Sequence, residues 1–517
     1  MLNLAIIYHM HQPYYKNLLT RESDLPWVRL HGVKDYLDMV QILEKFPKIK
    51  LTFNVVPSLF EQIEDYNNTG LLDKYLRLSQ KPAEQLTKID KEFILQNFFS
   101  INKDKVIAFS PRYYQLYFKK QSGQEFNLAD YLDLQVCFNL FWIDPSFRKS
   151  IPELKKVVDK ERFFSENDKQ VVLTQQLEIL KRILPAYKLA QNNQQIEISV
   201  TPYYHPILPL LYDTHIAKEA NKKTALPKEE FNYPLDAKYQ IASAVEFYQQ
   251  RFGQAPLGMW PSEQGVSEHI LPYIIESGIK WIVTDEAILF KSLKLKKRDT
   301  KLLYQPHFLK RKEGQLNVVF RDRNLSDLIG FTYHQMKEVD AVNNFMMHLE
   351  NINKAFSAQG QKDILVTIAL DGENAWEFYR NDGHDFLDLF YQRLSQTDFI
   401  KTTTVSEYLK LNPAKRVIKR LSAGSWIYGE FGKWIGNSYK VKAWEWLAQA
   451  RKAIGETSLP SDLAWKQMYI LEGSDWFWWA GEDPDGSFDR LFRLHLTNFY
   501  QLINKEPPAY LANPLIS

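Results

Sequence analysis

Seven short runs of β-branched and aliphatic residues recur along this chain, each giving way to polar or turn residues: 4–8, 51–55, 196–200, 257–260, 281–284, 316–320 and 364–368. Helix-like stretches such as 235–252 and 268–277 lie between most of them. Strands that alternate with helices cannot pair as tight hairpins, because each crossover returns the chain to the same end of the sheet. The pattern therefore predicts a parallel sheet with helices outside. Seven such units, one short of the eight that close a full barrel, predict an α/β fold built on an incomplete seven-stranded (β/α) barrel.

The tips of the runs carry polar groups: His9 and His11, Asn54, Tyr203 to His205, Glu263, Asp285, Arg321 with Asp322, and Asp371 with Glu373. In such a barrel the strands hold their C-terminal ends at one rim, where the following loops shape a cleft, so groups from seven separate segments converge on one face. Glu263 lies in Trp260-Pro-Ser-Glu-Gln-Gly265 and Asp371 in Ile368-Ala-Leu-Asp-Gly-Glu373, each near a tryptophan, Trp260 and Trp376. A carboxylate at a strand end also serves to cap the next helix. Two of them, each with an indole nearby, match what cleavage of a glycosidic bond needs: one carboxyl to protonate the departing oxygen and one to attack or to activate water. His9 and His11, two apart on one strand, point to the same face and could hold sugar hydroxyls, with Arg321 or Asp322 opposite.

The 65 basic and 62 acidic side chains, net +3, are spread along the chain and offer no footprint for nucleic acid. The densest basic stretch, 291–298, is broken by leucines and reads as a solvated face. The single cysteine, Cys137, excludes an internal disulfide and a cysteine-based zinc site. The apolar run at 4–8 is too short for a signal-peptide core, and no window approaches a membrane span, so a soluble, cytoplasmic protein is expected. Nothing in the sequence sets an oligomeric state.

At 517 residues the chain exceeds one ordinary domain. Residues 71–188 show helical periodicity with clustered aromatics and read as a helical insertion between the second and third strands. Beyond about 400 helical runs dominate, at 442–454 and 488–503, and eight of the thirteen tryptophans lie between Trp426 and Trp479. The expected division is a barrel domain at 1–400 and a helical domain at 401–517 that completes the cleft. Trp444, Trp446 and Trp465 fit a helical core. Trp426, Trp434 and the pair Asp475-Trp476 lie beside glycine and loop residues, so their indoles could stack on sugar rings while Asp475 accepts hydroxyl hydrogen bonds. Asp483-Pro-Asp-Gly486 reads as a plain turn and not a calcium loop.

These residues resemble the ordered motifs of glycoside hydrolase family 57. His11-Gln-Pro13 is similar to the first motif, and Ile196-Glu-Ile198 with Thr201-Pro-Tyr-Tyr-His-Pro206 to the second, which adds Glu197 and His205. Trp260-Pro-Ser-Glu263 is similar to the third, Leu370-Asp-Gly-Glu373 to the fourth, and the tryptophan-rich stretches to the last. Gln194 stands where the second motif often has glycine, and Gln264 precedes Gly265 in the third. The resemblance implies a seven-stranded incomplete barrel followed by a helical bundle, a retaining mechanism and α-glucan substrates; no cofactor or metal is expected, with calcium dependence left open. It makes Glu263 the nucleophile and Asp371 the general acid/base. Tyr203-Tyr-His-Pro-Ile-Leu-Pro209 and Phe477-Trp-Trp479 look most like the amylopullulanase and α-amylase type, acting on starch, glycogen, pullulan or maltooligosaccharides at α-1,4 bonds, with α-1,6 bonds open. Transfer and branching stay open too, because they share the covalent intermediate.

On that assignment Glu263 must be ionised and Asp371 protonated, and the charges of Glu263 and Glu373 would raise the Asp371 pKa. A rival set is a zinc site of His9 and His11 with Asp285 or Asp371, although Met10 and Gln12 stand where zinc barrels of this type set an aspartate. A glucan-binding protein that retains the carboxyl pair is the reading outside enzymes.

Overall fold

All seven expected strands form, and they lie side by side in the computed structural model, which describes residues 1–515. The strands are β1 (Leu2–Met10), β2 (Leu51–Val55), β3 (Ile196–Val200), β4 (Gly258–Met259), β5 (Trp281–Asp285), β6 (His307–Arg311), β7 (Gly314–Arg321), β8 (Ile364–Asp371), β9 (Ile400–Thr402) and β10 (Arg416–Val417). The sheet runs β10-β6-β7-β5-β4-β3-β2-β1-β8, with β9 on β1. Every junction from β7 through β8 is parallel. At its two ends the Asp322 N–H, just past β7, donates to Thr367 O of β8 at 2.8 Å. The added strand is β6, which folds back antiparallel on β7.

A parallel sheet covered on both faces needs apolar residues at every position, and all nine residues of β1 are buried. Two apolar clusters divide them by parity. Ala5 and Ile7 join Trp281, Val283, Val319, Leu365 and Ala369 in a small inner cluster, whereas Leu4, Ile6, Tyr8 and Met10 belong to the large outer one. Side chains alternate along a strand, so the inner file of each strand continues to a polar residue at the C-terminal end: His9 after Ile7, Asp285 after Val283, Arg321 after Val319, Asp371 after Ala369. Register sets His9 level with Asn54 on one side and Asp371 on the other.

The stretch between β2 and β3 is helical from Lys74–Gln80 through the 27-residue helix Glu166–Asn192. Capping boxes at Asn127 and Ser165 start two of its helices. A buried ion pair ties it to the segment after β1: Arg29 Nε donates to Asp73 Oδ2 at 2.7 Å, and Nη1 to Gln176 Oε1 at 2.6 Å. Beyond residue 400, β9 and β10 still belong to the sheet, and the first long helix is Ser438–Gly455, followed by Asp462–Leu471, Ser474–Trp479 and Ser487–Leu502. Trp444 and Trp446 are buried there, as a helical core requires, and Trp465 packs partly buried against it. Among the described residues no helix is long and apolar enough to cross a membrane.

Candidate active site

Glu263 lies in a tight turn after β4. Its backbone and that of Gln264 are left-handed, φ 56° and 52°, a conformation that costs a residue with a Cβ about 1–2 kcal/mol and collects at functional sites. A loop from far along the chain holds it. The Trp426 amide donates to Glu263 O at 3.1 Å and the Trp426 indole Nε1 to Glu263 Oε2 at 2.7 Å. Oε1 therefore remains the free oxygen, with His205 Nδ1 3.9 Å away.

Asp371 ends β8. The next residue is tightly packed: a Cβ on Gly372 would meet Met10 Sδ at 2.2 Å and His9 O at 3.2 Å, and its amide donates to His9 O at 2.8 Å. Both carboxyls line one cavity of about 660 Å³, together with His9, His11, Glu373, Trp426 and Asp475. A second cavity of about 560 Å³ shares Asp371 and Trp426 with it and contains Arg321.

Behind the first cavity runs a chain of neutral groups whose proton positions follow from the donors. His9 Nδ1–H donates to Asn54 Oδ1 at 2.6 Å, since Asn54 Nδ2 is committed to Ser199 Oγ at 3.1 Å. Neutral His9 then accepts at Nε2 from His205 Nε2–H at 3.1 Å, and His205 accepts at Nδ1 from Ser474 Oγ–H at 2.8 Å. Burial agrees, pushing the His9 pKa down to about 3, and the His205 pKa well down, with neighbouring histidines adding to both shifts. Trp260 stacks on His9 with ring centroids 4.8 Å apart, and His11 on His205 at 3.9 Å. His11 Nε2–H donates to Asp475 Oδ1 at 3.0 Å, leaving His11 Nδ1 without a partner.

Burial raises all three carboxyls. Glu263 is pushed up to about 8, by burial first and the Asp371 charge second, against the pull of the Trp426 N–H. Glu373 is held well above the usual carboxylate range by burial, then by Asp371 and Asp35. Asp371 is raised by burial, while Asn374, His11 and Arg321 oppose the rise. Like charges this close cannot all ionise, so the group holds protons near neutral pH. The expected push from Glu263 and Glu373 on Asp371 is not what raises it: burial does, and the Asp371 charge instead adds to the rise of Glu263 and Glu373.

Eight residues expected to touch substrate do not line either cavity: Trp260 and His205 are buried behind the first one with the chain of neutral groups, and six others lie elsewhere. Glu197, near the start of β3, accepts from Trp281 Nε1 at 2.9 Å and from the Ser406 amide at 3.0 Å, at the opposite end of the sheet. Asp285 is fully buried, caps the helix Glu286–Ser292 and pairs with Arg323 and Arg321. Asp322 faces away from the inner file and is taken by Leu325 N, Tyr304 Oη and Arg298. Trp376 donates to Gly372 O inside an aromatic core with Tyr8, Tyr379 and Phe386. Trp434 is fully buried beneath Trp478, and Trp476 donates to Ile470 O while stacking on Phe492. Of the zinc set, both His9 nitrogens are hydrogen bonded, His11 Nε2 is taken by Asp475, and Asp285 is bound by two arginines. His11, His205 and Asp475 bring ligand-type atoms within 4.8 Å of one another, but both His205 nitrogens belong to the neutral chain.

Other residues do line the first cavity: Trp27, Trp142 from the helical stretch, Asn374, Trp478 and Trp479. The helix Ser474–Trp479 offered a signal for two of them. At 100° per residue Asp475, Trp478 and Trp479 share one face and Trp476 and Phe477 the other. For Trp142 no local signal exists.

A family model described as Glycosyl hydrolase family 57 matches residues 5–420. The chain belongs to that family of glycoside hydrolases. An alpha-amylase 1 of Dictyoglomus thermophilum is 31% identical over 112 residues, which span 22% of this chain and 13% of that relative. The solved family 57 branching enzyme of Pyrococcus horikoshii matches over 97% of this chain and 89% of its own, at 16% identity and a TM-score of 0.61. The alpha-amylase of Thermotoga maritima matches over 97% and 93%, at 14% identity and 0.61. The 4-alpha-glucanotransferase of Thermococcus litoralis matches over 97% and 60%, at 15% identity and 0.55. At these identities the likeness is one of fold, an α/β sheet wrapped in helices.

Proposed function

We propose that this family 57 enzyme cleaves α-glucans with retention of configuration, through a glycosyl-enzyme on Glu263 with Asp371 as general acid/base. In this reading the seven parallel strands form an incomplete barrel in a domain spanning 1–400, and the helices of 401–517 form a bundle that closes the cleft. The carrying observation is that the two carboxyls share one cavity and that Trp426 occupies Oε2 of Glu263, leaving Oε1 to attack. Attack forms the bond from Oε1 to the anomeric carbon and breaks the bond to the departing oxygen, which takes the Asp371 proton. Water or a sugar hydroxyl then gives its proton to Asp371 and releases Glu263 as a carboxylate. Retention calls for carboxyls about 5–5.5 Å apart. The His11–Asp475 pair and Glu373 supply polar contacts for the sugar being cleaved, and Trp478 and Trp479 supply flat apolar faces.

The related solved structures are named as a branching enzyme, an amylase and a glucanotransferase, so hydrolysis is proposed with transfer as the second outcome of the same intermediate. Incubation with amylose, pullulan and maltooligosaccharides, followed by product analysis, tests both. No change in any of the three would sink the glucan reading.

A further inference from the structure

The two cavities meet at Asp371, Asn374, Phe378, Trp426 and Trp478; the first touches both carboxyls, the second touches Asp371 and not Glu263. The second also carries three aromatic rings open to solvent, Phe331 at 71% exposed, Phe378 at 51% and Tyr428 at 84%. Apolar groups of this size gathered at one groove mark a ligand site.

Tyr428 is held out deliberately by its loop. Its backbone is left-handed at φ 53°, followed by Gly429 at φ 68°. Ser425 Oγ accepts from the Ile427 amide at 3.1 Å and donates to Glu430 O at 2.6 Å, while Lys291 Nζ donates to Gly429 O at 2.6 Å. Two positions earlier the same loop carries Trp426, the residue that holds Glu263. Arg323 and Asp327, partly exposed, add polar edges to the groove.

We infer that this second arm receives the glucan segment on the far side of the bond being cut, with Phe331 and Tyr428 as its stacking platform; the inference rests on the roles proposed for Glu263 and Asp371. Its direction follows from the chemistry. The nucleophile must reach the anomeric carbon of the retained fragment, and the acid must reach the oxygen that leaves with the other fragment. An arm that touches the acid alone therefore takes the leaving fragment, and afterwards the acceptor. Flat aromatic faces there favour a sugar over water. An acceptor hydroxyl oxygen bonds to the anomeric carbon, its proton passes to Asp371, and Glu263 departs as a carboxylate, so glucan is passed to glucan.

The test compares Tyr428→Ala and Phe331→Ala with the parent on two donors, maltoheptaose and α-maltotriosyl fluoride. Fluoride leaves without filling the arm. In each variant kcat/KM is expected to fall at least tenfold further on maltoheptaose than on the fluoride. The yield of transfer product with added maltose should drop, and cuts in end-labelled maltoheptaose should move toward the reducing end. An equal fall on both donors, or no fall on maltoheptaose, overturns the platform while leaving the glucan reading intact. A parent enzyme inert toward both donors overturns the glucan reading itself.

Discussion

The indole of Trp426 donates to Oε2 of Glu263 at 2.7 Å, joining residues 163 positions apart. A hydrogen bond to the ionised form lowers a carboxyl pKa, and burial has already carried Glu263 to about 8. Trp426→Phe keeps the ring and removes the donor, so the Glu263 pKa should rise further. Because Glu263 must be ionised to attack, the acid limb of kcat/KM should move to higher pH, with a loss of about tenfold to a hundredfold at pH 6. A pH–rate profile checks this, and an unmoved acid limb would contradict it.

Glu263→Gln should lower turnover by several orders of magnitude while preserving the fold. It should also stabilise the protein, with a definite pH dependence. The folded-state pKa, about 8, lies above the ordinary value near 4.5, so the folded chain holds a proton that the unfolded chain gives up. Between those two pH values ionisation of Glu263 works increasingly against folding. The variant should therefore melt with the parent near pH 4.5 and outlast it above pH 8, by on the order of a few kcal/mol. Melting curves across that range decide it.

The helical phase of Ser474–Trp479 separates its tryptophans by role. Trp478→Ala should melt near the parent and lose about tenfold in kcat/KM. Trp434→Ala and Trp476→Ala should cost about 3–5 kcal/mol of stability, because each empties a buried ring volume, while the remaining folded enzyme keeps its kcat. If Trp478→Ala melts early with normal kinetics, that division is wrong.

Gly372→Ala should displace Asp371, since the added methyl meets Met10 Sδ at 2.2 Å. Overpacking of this kind costs about 1–3 kcal/mol, and activity should fall with it. Met10→Ala in the same chain opens the space and should restore part of both. A double variant no better than the single one would place the fault in the backbone and not in the thioether.

The strands were legible as continuous apolar runs, and the two-residue period of a strand then carries the inner files to His9, Asp285, Arg321 and Asp371. What that period could not say is which polar tip stays in the cleft. Asp285 and Asp322 sit at strand ends, like Asp371, and are consumed by helix caps and arginines that no local pattern announces. Glu197 matched a motif yet sits at the other end of its strand, where Trp281 and Ser406 take it. Strand β6 escaped notice because it ends in Lys310 and Arg311 and only two of its five residues are buried. Trp376, Trp434 and Trp476 show the limit of reading indoles by neighbours: glycine nearby does not put a ring in solvent.

Translation gives the Trp426–Glu263 contact a temporal meaning. At about 5–20 residues per second, a ribosome adds Trp426 roughly 8–30 s after Glu263. The partners of His11 and His205 emerge later still, since Asp475 and Ser474 lie 464 and 269 positions further on. The carboxyl pair is thus made early and armed late. A nascent chain short of Trp426 carries the reactive groups without the donor that sets them, so the stretch from Trp426 to Asp475 decides when the cleft can begin to act.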